Sequence, residues 1–155
     1  MPIPAAPTAS NMLNHNLDRD GFSITSQVLA AREVDELRKA LSQLPQDEAV
    51  RRRRDAYGAR NLFQLEPAIR ALACSDALVE IASHVLGSNC FAVRAMLFDK
   101  VDSANWKVGW HQDKFIAVRE RIDTPGFGPW SQKAGVWQVV PSVDVMQLML
   151  TLSVH

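Results

Sequence analysis

Apolar residues recur at helical spacing in the first half of this 155-residue chain and in short strand-like runs in the second. Between Ala31 and Leu44, Val34, Leu37, Leu41 and Leu44 fall on one side of a helix, and Asp35 stands four residues before Lys39. Pro45 stops that helix. A shorter helix is predicted from Pro67 to Ala73. Another runs from an N-cap at Ser75 through Leu78, Ile81, Ala82 and Val85 to a C-cap at Gly87. Past Asn89 the runs CFAVRAMLF, WKVGW, KFIAV, GVWQVV and LMLTLSV read as strands. The turn residues Asp102 to Asn105 and Thr124 to Pro129 divide them. Helices followed by strands predict an α+β fold, N-terminal helices packed on a largely antiparallel sheet. The expected boundaries are a mobile, proline-rich tail over 1–13, a helical part over about 14–88 and a β part over about 89–155.

Charge narrows the partners. Seventeen basic residues balance seventeen acidic ones, which argues against a whole-molecule grip on nucleic acid or an anionic membrane. No apolar run approaches the ~20 residues of a membrane helix, and no basic-then-apolar leader is visible. Cys74 and Cys90 offer neither a disulfide framework nor paired metal-ligand spacing, so a reducing cytoplasm is the expected address. The zero sum conceals one block: residues 51–60 hold five arginines and one aspartate, beginning with Arg51, Arg52, Arg53 and Arg54. Such a block reads as a solvated loop or helix face, or as a contact for a phosphorylated or carboxylated ligand.

The chemistry-bearing stretch is NWKVGWHQDKFIAV, residues 105–118. His111 and Asp113 are two apart on a predicted strand, so both side chains share a face and can converge on one point. Imidazole plus carboxylate is two-thirds of the facial triad that holds Fe(II) and leaves three coordination positions open. Alone, the tripeptide is weak, because short motifs recur by chance. Gln112 falls between the two and should point to the opposite face.

The surroundings carry more. LFDKVDSANWKVGWHQDKFIAV (97–118), PGFGPWSQKAGV (125–136) and VMQLMLTLSVH (145–155) together resemble the phytanoyl-CoA dioxygenase family of Fe(II)/2-oxoglutarate-dependent oxygenases. RDGF (19–22) and YGARNLFQLEPAIRALA (57–73) are similar to its N-terminal part. The resemblance implies a double-stranded β-helix, a jelly roll of the cupin type. It implies Fe(II) held by His111 and Asp113, 2-oxoglutarate as cosubstrate, and dioxygen with a small organic molecule as reactants. Lys100 is implied as a partner for a 2-oxoglutarate carboxylate, with a strand-end lysine in solvent as the alternative. Trp130 is implied as lining the cosubstrate pocket, or else as a core aromatic under the Pro/Gly loop.

The pattern departs from the family toward the C-terminus. No Gly-Ser-His follows Asp113, and His155 matches a different family histidine. Gln138, Ser142 and Ser153 replace the usual histidine, proline and arginine. The expectation is therefore a partial jelly roll, the N-terminal portion of a dioxygenase that hydroxylates a small substrate, inactive by itself. The alternative is a non-catalytic interaction module that completes its sheet on another chain, with self-association through unpaired edges.

Overall fold

The computed structural model describes residues 16–52, 56–99, 109, 111 and 113–155. The expected tail over 1–13, and the strand expected over WKVGW apart from Gly109, lie outside the described residues. Helices and two small antiparallel sheets alternate along the chain, an α+β arrangement.

Residues 16–20 are helical (α1). The next helix, α2 (Ala31–Ser42), starts where the Glu33 carboxylate accepts a hydrogen bond from the Ala30 N–H at 2.7 Å. This satisfies one of the donors that every helix start leaves free. The helix ends two residues before the expected Leu44, where Ser42 Oγ donates to the Lys39 carbonyl. Leu44 instead turns inward from the following turn and is buried.

Two strands then precede the remaining helices: β1 (Val50–Arg52) and β2 (Ala56–Ala59). The arginine block thus opens in a hairpin strand, where the sequence reading had a loop or helix face. α3 (Leu62–Leu65) and α4 (Pro67–Ala73) follow, α4 starting on Pro67 with the Glu66 carboxylate accepting from Ala68 N–H at 3.0 Å. α5 (Asp76–Leu86) begins after Ser75 and ends at Gly87, whose φ of 87° suits glycine. Ser75 holds the N-cap position, but its buried hydroxyl makes no hydrogen bond.

β3 (Leu97–Phe98) closes the first sheet in the order β1-β2-β3. Its register pairs Val50 with Ala59 and Ala59 with Leu97, so these residues share one face. That face packs on the core formed by Leu44, Ala59 and Leu62, with Leu41, Leu65, Ile69 and Ala95 around it.

The second sheet consists of β4 (Ile116–Val118), β5 (Trp130–Lys133) and β6 (Val136–Val139), ordered β4-β6-β5. β6 is central; Val139 is 0% exposed and Gln138 3%. β5 and β6 form a two-residue hairpin through Ala134 and Gly135, with φ of 47° and 73°. Positive φ at both turn residues matches the right-handed twist of the strands, as in a type I′ turn. A last helix, α6 (Val143–Met146), is followed by residues without regular structure, so the strand expected over LMLTLSV is absent. A strand needs a ladder partner, and no described strand pairs with that segment.

Two outcomes follow. Leu62→Ala empties the small core beneath the first sheet and should cost about 2–4 kcal/mol in urea denaturation. Ala134→Asn suits the left-handed turn position and should stabilise the protein by about 0.5–1 kcal/mol in the same assay. A loss of stability in Ala134→Asn would contradict the turn assignment.

Candidate functional site

The local backbone orients His111 before any metal is considered. Its Nδ1 lies 2.8 Å from the Gly109 carbonyl oxygen. A carbonyl accepts and cannot donate, so Nδ1 carries a proton toward it, a tautomer that in the neutral ring puts the lone pair on Nε2. Nε2 in turn lies 4.0 Å from Asp113 Oδ1. The two residues separated by one position are thereby brought onto one locus, with side chains 56% and 55% exposed.

This donor set fits a divalent transition metal as a pair of ligands. Imidazole nitrogen and carboxylate oxygen bind such ions at about 2.0–2.2 Å, so two neighbours on an octahedral face stand about 3 Å apart. Closing the observed gap takes about 1 Å, within reach of side-chain rotation at this exposure. The Nδ1–H···O=C bond is the kind of outer contact that fixes a ligating imidazole in the correct tautomer. Among the described residues no group of three or more His, Cys, Asp and Glu side chains gathers to hold an ion.

Of the other two sequence candidates, Trp130 is described and opens β5. Lys100 lies outside the described residues, as does Gln112. Trp130 pairs with Val139 across β5 and β6, and the Arg121 guanidinium lies 5.7 Å from its ring centroid. In the register of the second sheet, Trp130 shares a face with Ile116, Val118, Trp137 and Val139. The opposite face carries Ala117, Ser131, Lys133, Val136 and Gln138. Phe115 joins that second face, since Lys133 Nζ lies 5.5 Å from its ring centroid.

Sequence reasoning missed a shallow cleft on this second face. Ala117 and Val136 line it together with Asn61, Phe63, Gln64, Val93, Arg94 and Ala95; neither His111 nor Asp113 does. Asn61 ties the parts together, its amide donating to the Ala134 carbonyl at 3.0 Å across 73 positions of sequence. It sits at φ 56°, a left-handed conformation that asparagine tolerates better than most residues. One signal was available in the sequence: Arg94 is the lone charge in an otherwise apolar run, CFAVRAMLF.

Residues 17–154 match the family model for phytanoyl-CoA dioxygenase (PhyH). The chain belongs to this family. No curated protein and no solved structure significantly matches it. Phytanoyl-CoA dioxygenase membership makes the domain one of dioxygenase type, an oxidoreductase acting on a small molecule and dioxygen. Family members are in general Fe(II)- and 2-oxoglutarate-dependent. Among the described residues no helix is long and apolar enough to cross a membrane.

Asn61→Asp tests the tie between the two halves of this phytanoyl-CoA dioxygenase domain. It keeps the left-handed tolerance but sets a carboxylate against the Ala134 carbonyl, and should destabilise by about 1–3 kcal/mol. Amide exchange at Val136 and Ala117 should accelerate more than exchange within α5; uniform change across the chain would count against a local tie.

Proposed function

We propose that His111 and Asp113 are two of the protein ligands to Fe(II) in a 2-oxoglutarate-dependent dioxygenase that hydroxylates a small organic substrate. The observation that carries this is the oriented pair: a proton held on Nδ1 by Gly109 and a free Nε2 facing a carboxylate at 4.0 Å. When bound, Fe(II) would activate dioxygen with 2-oxoglutarate as the two-electron reductant, one oxygen atom going into the substrate C–H bond and the other into succinate as CO₂ leaves. The chain's own part is to present a neutral imidazole and an anionic carboxylate on one side, leaving positions for cosubstrate and oxygen. Lys100 remains the proposed partner for a 2-oxoglutarate carboxylate, and Trp130 a proposed pocket wall. The two three-stranded sheets are read as parts of a jelly roll, and residues 14–155 as one domain of that type. A reducing cytoplasm is the proposed address.

Residues 114–155 contain no Gly-Ser-His, and their single histidine is His155. Two ligands in a half-exposed setting bind metal weakly, because affinity rises with ligand number and with a dry, supported shell. Anaerobic calorimetric titration of the 155-residue protein with Fe(II) should show weak binding of one ion, lost in both His111→Ala and Asp113→Ala. Binding unchanged in both variants would overturn the assignment. These 155 residues alone should form no detectable succinate from 2-oxoglutarate.

A second reading rests on the exposed apolar side chains of Val143, Leu148 and Val154. Leu148, 73% exposed, is the most exposed of these three. Such a surface suits an interaction module that completes its sheet on another chain. Sedimentation equilibrium separates the two: a defined dimer supports the module, and a monomer that binds Fe(II) supports the enzyme reading.

A further inference from the structure

Arg51 and Arg60 share the face of the first sheet opposite the core, and Arg94 lines the cleft beside Asn61, the residue after Arg60. In β1 and β2, Arg51 stands opposite Gly58, on the side away from the Val50–Ala59–Leu97 face that packs on the core. Arg60 continues the ladder past β2, its N–H donating to the Ala49 carbonyl at 2.9 Å, and so falls on the same side as Gly58. Arg94 precedes Ala95, which packs inward, and it lines the cleft with Asn61 and Gln64. Gly58, opposite Arg51, and Ala49, opposite Arg60, are both buried on this side, and a Cβ built on Gly58 would meet Arg51 Cβ at 4.0 Å and the Leu97 carbonyl at 3.8 Å.

The grouping has an electrostatic cost that the described residues leave uncompensated. Partial burial, then the charges of Arg51 and Arg94, hold the Arg60 guanidinium below the usual arginine range. Among the described residues no carboxylate forms an ion pair with Arg51, Arg60 or Arg94. A half-buried guanidinium beside two like charges is stabilised most directly by an anion.

We propose that the outer face of β1–β2–β3, with Arg51, Arg60 and Arg94, is a binding site for a small-molecule oxyanion carrying two or more negative charges. Guanidinium forks match the oxygens of phosphoryl and carboxylate groups two at a time, and three forks suit a multiply charged group. The amides of Asn61 and Gln64, on the cleft that Arg94 lines, are placed to hold an uncharged polar part of the same molecule. The site uses neither His111 nor Asp113, so it stands or falls independently of iron binding.

The test is calorimetric titration of the metal-free 155-residue protein with pyrophosphate and, separately, malonate, at fixed ionic strength, alongside thermal melts. Saturable one-to-one binding and a raised Tm relative to chloride are expected. Affinity should fall about tenfold or more in Arg60→Gln and in Arg94→Gln. Arg60→Lys, which keeps the charge and loses the fork, should fall between. Arg38→Gln, on exposed α2, should leave binding unchanged. Tighter pyrophosphate assigns a phosphoryl ligand and tighter malonate a polycarboxylate; either supports the site. No saturable binding of either ion, full affinity in both Arg60→Gln and Arg94→Gln, or an equal loss in Arg38→Gln would overturn it. Should Arg60→Gln fail to fold by circular dichroism, Arg51→Gln, at an exposed position, carries the same expectation.

Discussion

Side chains alternate across a strand, so burying Val50, Ala59 and Leu97 against Leu44 and Leu62 turns Arg51 and Arg60 to the opposite face of the first sheet. The core beneath that sheet is small, and it depends on apolar residues at alternate positions of three short strands. A one-residue slip would send arginine into the core, which fixes the register strongly. The same alternation puts Arg51 and Arg60, which have no ion-pair partner among the described residues, on the face opposite the core. Packing on one side and charge on the other are therefore a single constraint.

The second sheet obeys a parallel rule. Its central strand buries Val139 on one face and Gln138 on the other, so both faces are covered to some degree. Trp130 takes the Val139 face and stacks with Arg121, while Ala117 and Val136 reach the cleft. The strand leading out of the His111–Asp113 pair is β4, which joins the candidate metal ligands to this sheet through Phe115. Asn61 carries the connection back to the helical half through its bond to the Ala134 carbonyl.

Local patterns were legible where local physics decides. The helices over Ala31–Ser42, Pro67–Ala73 and Asp76–Leu86 follow from apolar spacing, a proline at a helix start and a glycine at a helix end. The hairpin of β5 and β6 lies within the predicted GVWQVV run and the residues before it. What local pattern hid is long-range pairing. Val50–Arg52 is a strand because Ala56–Ala59 and Leu97–Phe98 complete a ladder with it, and the long charged side chains of the block obscure any apolar alternation. LMLTLSV has strong strand composition but no described partner, and composition alone does not supply one. His111 and Asp113 were singled out by strand spacing, but neither lies in a strand, β4 starting only at Ile116, and the contact of His111 with the Gly109 carbonyl is to a backbone group that no residue type announces.

Family membership rests on nearly the whole chain, while the metal assignment rests on two residues, so the sharpest question concerns where a divalent ion sits. Paramagnetic broadening by Mn(II), a stand-in for Fe(II) with the same preference for nitrogen and oxygen donors, reads this residue by residue in an NMR spectrum. The account predicts that substoichiometric Mn(II) broadens the signals of Gly109, His111 and Asp113 first and leaves those of α5 sharp. Broadening centred on another acidic stretch, such as Asp47 and Glu48, with the His111 signal unaffected, would contradict it.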